Sequence, residues 1–377
     1  MSVATQAAGD GGKVPAAVVP SVNIIGGRAS IAGARNGAAA TQAARMAEGG
    51  RYDLTLAAWE CLQAAGIDVP VSQLRDDPFR VVMQGMETTS DFPNVVQQFV
   101  HRLAVRQLEM LPPWIRRVGR LINVTDFRDH VSPILGETEL KEINESGEIE
   151  FAKLPEKGET FRIATYASRS AISRQLWVND SDGAILKAVS SPMAAVNNLE
   201  ANVATELLAA NAGLGPTMSD TATLFHADHA NVSTAVLDVD GLDAGRQAMR
   251  AQTTLDGKNP VNAPPRYLMV PAALETDAEK VLAELQPTKS DDVNPFSKKL
   301  ELVVEPRLDA ISATAWYLFA DPAFVPTFGY AYLRGKTGPM IEIKPAWEQD
   351  GLGIRTVHDY GAVAEDWRGM FRSTGAG

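Results

Sequence analysis

The densest grouping of metal-ligating residue types is Phe225-His226-Ala227-Asp228-His229. Two imidazoles and a carboxylate within four residues are ligand types for Zn²⁺ or Fe²⁺. A zinc-hydrolase helix places a Glu directly after its first His and spaces its histidines by four, so that both share one face. Here the spacing is three, and Pro216 and Ser219 upstream favour a loop. In a loop, His226 and Asp228 serve turn and backbone hydrogen bonds. A metal-dependent hydrolase using His226, Asp228 and His229 is kept as the third of three functional readings.

Other chemistry-bearing residues are sparser. Gly335-Lys336-Thr337 resembles the end of a phosphate-cradling loop, but Gly329 lies one position too far upstream. The intervening Tyr330-Ala331-Tyr332-Leu333 reads as a strand, so Lys336 is expected at a solvated strand-to-turn junction. There is no Gly-x-Ser-x-Gly elbow for a hydrolase nucleophile. Cys61, the single cysteine, sits on the apolar side of a predicted helix, where a structural thiol is expected. Asn123, Asn179 and Asn231 open glycosylation sequons that mean nothing without secretion. Arg116 and Arg117, near Trp114 and Arg120, form the one local cationic cluster. A solvated face, a subunit contact or nucleic acid would each explain it. No catalytic, cofactor-binding or metal-binding residue is therefore assigned, and no cofactor is expected.

The chain has 377 residues, which gives a prior of about two to three domains. Lys+Arg total 35 and Asp+Glu 46, for a net charge of −11. Such an acidic chain is poorly suited to gripping nucleic acid, which needs clustered cations. One cysteine excludes an intrachain disulfide. No apolar run approaches the ~18 residues of a membrane span, and no secretory signal is recognised. A cytosolic globular protein is expected.

Residues 1–50 hold 14 Ala and 9 Gly and lack Leu, Phe, Tyr and Trp. They cannot bury enough apolar surface to offset their ordering entropy, so a flexible arm or linker remnant is expected. Leu54, Leu56, Ala58, Trp59, Leu62 and Ala65 predict a helix stopped by Gly66. Val95, Val96, Phe99, Leu103 and Leu108 predict a second over 94–110, capped by Ser90 or Asp91 and ended by Pro112-Pro113. Residues 149–154 and 161–166 alternate as two strands joined by a turn over 155–159. This hairpin has too few large apolar residues for its own core. A long helix over 192–211 is expected, with Ser191 as cap, Pro192 at its first position, and Met193, Val196, Leu199, Val203 and Leu207 inward. Asn211 and Gly213 close it. Downstream, helices at 242–249 and 272–285 intersperse with strands at 267–270, 300–304, 316–319, 330–333 and 340–343. The class is α+β.

The order of several short motifs is informative. Ser90-Asp91-Phe92-Pro93-Asn94 precedes a helix, and Ile172-Ser173-Arg174-Gln175 is followed by Asp182-Gly183-Ala184. Leu224 through Asn231, Pro265 through Pro271, Arg307-Leu308-Asp309, Gly338-Pro339, His358-Asp359-Tyr360-Gly361 and Asp366-Trp367-Arg368-Gly369 come after. This order, over about residues 52–372, resembles the major capsid proteins of tailed bacteriophages. It is most similar to the Mu-like major head subunit, in the branch where a prohead protease is fused upstream. The protease half is absent here.

The resemblance implies an HK97-like phage capsid fold. Residues 51–129 would form the N-terminal arm and helices, and 130–168 an extended loop lying over a neighbouring subunit. Residues 169–214 would form a peripheral domain with the 192–211 spine helix, 215–345 mainly an axial domain, and 346–377 a return to the peripheral domain. Phe151, Leu154, Arg162, Arg116 and Arg117 are the expected inter-subunit contacts. The implied function is self-assembly into the hexamers and pentamers of an icosahedral shell enclosing double-stranded phage DNA without binding it specifically. The implied partners are copies of itself, with a portal, scaffold or prohead protease during assembly, and no membrane. The location would be the virion, assembled in the host bacterial cytoplasm. An encapsulin-like bacterial nanocompartment shell shares this fold and stays open as an alternative.

Overall fold

The computed structural model describes residues 54–89, 91–110, 112–135, 156–175, 181–283, 299–336, 338–346 and 351–377. The arm over 1–50, Phe151 and Leu154 lie outside the described residues. Among the described residues, five helices come first: α1 (Leu54–Ala64), α2 (Val71–Asp76), α3 (Pro78–Thr88), α4 (Asp91–Met110) and α5 (Trp114–Val118). Strands β1 (Arg120–Val124), β2 (His130–Leu135), β3 (Glu156–Phe161) and β4 (Ala164–Ser173) lead into α6 (Ser181–Gly213). Then follow β5 (Val232–Ser233), α7 (Val239–Ala251), β6 (Pro265–Val270), α8 (Glu275–Leu282) and β7 (Glu301–Val304). The chain closes with β8 (Trp316–Ala320), β9 (Phe328–Leu333), β10 (Met340–Ala346), β11 (Gly351–Ala364) and β12 (Met370–Ser373).

Two five-stranded sheets organise these elements. The first runs β1-β9-β11-β10, with β4 also paired to β11. β11 is 14 residues long and holds three antiparallel partners: β10 along its first half, β9 along its last residues, and β4 on Gly351–Tyr360. The second sheet runs β5-β12-β8-β6-β7. A separate two-stranded ribbon pairs β2 with β3.

Three large cores fill the layers between helices and sheets. Val96, Val100, Ala104 and Leu108 recur every fourth residue along α4 and share a cluster with Met193, Val196, Ile341, Leu352 and Ile354. Cys61 lies in the same cluster, as a buried structural thiol should. A second cluster joins Trp114 and Ile115 of α5, Ala204 and Leu208 of α6, and Tyr317, Phe319 and Phe328 of the two sheets. The third sets Leu242 and Met249 of α7 and Ala278 of α8 against Leu268, Trp316, Leu318 and Phe371.

Several expectations are corrected. The turn placed at 155–159 is instead strand: Glu156–Phe161 pairs antiparallel with His130–Leu135, so the ribbon joins segments more distant in sequence. The expected partner 149–154 lies outside the described residues. Pro192 is inside α6, not at its start, because the helix already begins at Ser181. A proline there removes one helical hydrogen bond and crowds the preceding turn, but does not prevent a helix from running through. The regular helix ends before Ala210, where the backbone turns extended and Asn211 and Ala212 take left-handed conformations (φ 50° and 58°). Leu199, Val203 and Leu207 are only half-buried; the buried line is Val196, Glu200, Ala204 and Leu208.

Residues 215–345 are shared between the sheets, since β9 and β10 join β1 in the first. The tail divides likewise, β11 entering the first sheet and β12 the second. The helix expected at 272–285 is a 3₁₀ turn over Ala272–Leu274 followed by α8.

Candidate functional site

Two polar constellations fix how the β2–β3 ribbon and the long helix sit on the sheets. The first surrounds Glu200 of α6, which is fully buried. Arg116 grips it with Nε to Oε2 at 2.8 Å and Nη2 to Oε1 at 2.7 Å. Tyr332 of β9 donates its hydroxyl to Oε1 at 2.9 Å, and His358 Nε2 of β11 meets the same oxygen at 2.9 Å. One carboxylate thus ties α5, α6, β9 and β11 together. Burial alone would raise its pKa. Hydrogen bonds from His358 and Arg116, with the arginine's charge, hold it instead below the usual carboxylate range. Burial pushes the Tyr332 and Tyr360 hydroxyls up, and the nearby Glu200 charge adds to this. Among the described residues, the buried Nδ1 of His358 has no hydrogen-bond partner.

The second constellation clamps the base of the ribbon. Glu365, fully buried just past β11, takes a bidentate contact from Arg120 at 2.7 Å on each side and a hydrogen bond from the Ser132 hydroxyl of β2. On β3, both oxygens of Glu159 accept the backbone N–H of Ser219, at 3.0 and 3.1 Å. Lys157 approaches Asp220 at 3.9 Å. Beneath these bonds, Val124, Phe161, Ile163, Ala331 and Val363 form a small apolar cluster. The ribbon's missing core is therefore supplied at its base by its own subunit.

The His226–His229 stretch serves the same clamp. Asp220 accepts from His229 Nε2 at 3.0 Å, while His229 Nδ1 faces the Leu224 carbonyl at 3.1 Å. The imidazole lies flat on Trp367, 4.2 Å between centroids and 4° between planes. His226 Nδ1 instead accepts the Asp228 N–H at 3.2 Å. Both nitrogens of His229 are thus engaged, and among the described residues no group of three His, Cys, Asp or Glu could hold a metal ion. Lys336 lies 3.8 Å from Asp359 at a turn where Gly335 has φ 82°.

The structure turns Arg116 inward onto Glu200, with its side chain 21% exposed. Arg117 is at the surface and pairs with Glu301 of β7. Arg162 is exposed between β3 and β4. No short motif marks Glu200, Tyr332 or Glu365. For Glu200 a signal existed: a carboxylate on a four-residue apolar line, Val196-Glu200-Ala204-Leu208, is buried and needs a partner.

A family model described as "Phage capsid protein" matches residues 157–373, which hold the second sheet, the first sheet apart from β1, the long helix and nearly all of β3. The chain belongs to the phage capsid protein family. The family is structural and not enzymatic, and the capsid chain has the mixed helix-and-sheet architecture of its HK97-like α+β fold. Among solved structures, a phage-related protein from Bordetella bronchiseptica RB50 is 12% identical, with TM-score 0.49, covering 73% of the capsid chain and 96% of that chain. The capsid structure of the cyanophage P-SCSP1u is 10% identical, with TM-score 0.45 and coverage of 69% and 87%. A chain from Mycobacterium phage Adephagia is 11% identical, with TM-score 0.44 and coverage of 70% and 90%. No curated protein matches the capsid chain. Among its described residues, no helix is long and apolar enough to cross a membrane.

Proposed function

We propose that this chain is the major capsid protein of a tailed bacteriophage head. Copies of it assemble into hexamers and pentamers of an icosahedral shell around double-stranded DNA. The single observation that carries this reading is the family match over residues 157–373. The order of motifs along the chain supports placing it in the Mu-like branch, beside relatives whose prohead protease is fused upstream. The first sheet with α6 then acts as the peripheral domain and spine, the second sheet as most of the axial domain, and the segment leaving β2 and re-entering at β3 as the extended loop.

The physical logic is that of a tile. A shell subunit must keep its shape while forming many weak contacts that closure of the lattice reinforces. The Glu200 cluster and the ribbon clamp supply stiffness within one subunit. The net charge of −11 suits a container wall, because cation-rich surfaces would retard DNA sliding past. A portal, scaffold or prohead protease would act during assembly, and the mature location is the virion. Electron microscopy of the purified chain tests this: capsomers or closed shells are expected. A chain that stays monomeric across salt, pH and concentration overturns it. Closed shells that carry an enzyme cargo from the expression host would move the reading to a nanocompartment.

A further inference from the structure

On one stretch of the second sheet, three buried polar atoms have no hydrogen-bond partner among the described residues: Tyr317 Oη of β8, Arg372 Nε of β12 and Thr374 Oγ1. Buried polar groups are almost always bonded, so three orphans in one place need a cause. Tyr317 and Arg372 are opposite each other in the β8–β12 register and so share a face of the sheet. That face packs on α6, since Tyr317 clusters with Ala204 and Leu208. Thr374 continues the ladder, its N–H bonding the Ser233 carbonyl, so strand alternation puts it on the same face.

Arg372 is only 8% exposed, and a guanidinium keeps its charge. The other inward arginines each grip an acid: Arg116 holds Glu200, and Arg368 holds Asp366. Among the described residues Arg372 has no such carboxylate. The turn that closes α6 lies against it, for a Cβ on Gly213 would be 3.4 Å from Arg372 Nη2. That turn spends its acceptors elsewhere. The Ala210 carbonyl takes the Gly215 N–H at 3.0 Å, the Leu214 carbonyl takes the Phe225 N–H at 2.9 Å, and the Gly215 carbonyl takes the Asn211 amide at 2.8 Å. Burial pushes the Tyr317 hydroxyl up against the pull of Arg372, so it stays protonated and can donate. A buried positive charge beside a spare O–H donor is costly unless an anion meets both. With Tyr317 1% exposed and Arg372 8%, no peptide or nucleic-acid strand reaches these atoms.

We propose that Tyr317 and Arg372, with Thr374 beside them, hold one halide-sized inorganic anion between the second sheet and the closing turn of α6. Bound there, it neutralises Arg372 and ties β8 and β12 to the end of the long helix. The site does not depend on the shell reading.

The test follows the thermal midpoint of the full-length chain at fixed ionic strength while sodium bromide replaces sodium gluconate, whose anion is too bulky to enter. The midpoint should rise by about 2–4 °C and level off as the single site fills. Tyr317→Phe keeps the ring and its packing but removes one donor, and should move half-saturation to about tenfold higher bromide. Arg372→Gln should abolish the levelling response. An unchanged midpoint, a rise that never levels off, or a response that Tyr317→Phe leaves as it was overturns the proposal. Crystals grown in bromide give the position, and one anomalous peak between Arg372 Nε and Tyr317 Oη is expected. A water alone at that place, or bromide only elsewhere, overturns it.

Discussion

The two sheets use their strands in opposite ways. In the second, β8 is buried at all five positions, and Trp316, Tyr317 and Phe319 pack on both of its faces. In the first, β4 is exposed at most of its ten positions, and the sheet's buried side is pinned by a charged group, Glu200. A strand buried on both faces is held by area, and area is forgiving of direction. A sheet with one bare face is held by fewer, directional contacts that fix its orientation. The second sheet thus serves stability, while the first keeps a surface open and holds it in a set pose.

The sharpest way to break this contrast is to hollow the second sheet. Trp316 is fully buried, and its indole N–H donates to the Ala235 carbonyl at 3.1 Å. Trp316→Ala should cost about 3–5 kcal/mol, seen as a fall in the denaturation midpoint of the isolated subunit. A cost near that of a surface substitution would mean the sheet is not the main stabilising core.

Glu200→Gln tests the first sheet. It keeps the shape of the side chain but leaves Arg116 without its counter-charge, for a cost of about 2–3 kcal/mol. The sign with pH follows from the lowered carboxyl pKa. The stabilisation is complete above the unfolded carboxyl value of ~4.3 and is lost as pH falls through the lower folded value. The gap between the parent chain and Glu200→Gln should therefore stay constant above about pH 5 and narrow in acid. A gap that widens in acid would mean Glu200 is not held as the anion.

The same contrast explains what could be read in the sequence. Strands of the second sheet declare themselves: Tyr267-Leu268-Met269-Val270 and Trp316-Tyr317-Leu318-Phe319 are continuous apolar runs whose burial needs no knowledge of a partner. The first sheet is obscured by its glycines. β11 carries Gly351, Gly353 and Gly361, which read as breaks in a sequence. Yet a Cβ on Gly351 would lie 2.1 Å from the Ile172 carbonyl oxygen, and one on Gly361 2.6 Å from that of Arg162. Those glycines permit close approach of a neighbouring backbone, a fact held by the neighbour and not by the local pattern. The ribbon is hidden in the sequence for a related reason. Lys157 and Glu159 look like turn residues, but their partners, Asp220 and Ser219, lie about sixty residues away. Glu200 alone broke a local rule in view, as a charge on an apolar helical line.

A gentler change separates the ribbon's pose from its fold. Glu159→Gln retains one acceptor for the Ser219 N–H but removes the charge beside it, for a loss of about 1 kcal/mol. Hydrogen exchange in 130–135 and 156–161 should quicken while the second sheet stays protected. Uniform quickening across both sheets would show that ribbon and cores unfold as one unit.

The smallest expected effect is the most discriminating. Arg355 sits on the open face of the first sheet with its side chain 61% exposed, 3.7 Å from Glu342. An exposed pair of that length contributes little to folding, so Arg355→Ala should shift subunit stability by no more than about 0.5 kcal/mol. If the open face exists for contact with other copies, the same substitution should still slow assembly, most visibly at low salt where surface charges are least screened. Light scattering during assembly, set beside a denaturation curve of the same sample, reads both quantities. A mutant that melts and assembles like its parent would place the contact elsewhere. One that loses several kcal/mol would make the first sheet's outer face part of the fold, and the division of labour between the sheets would not hold.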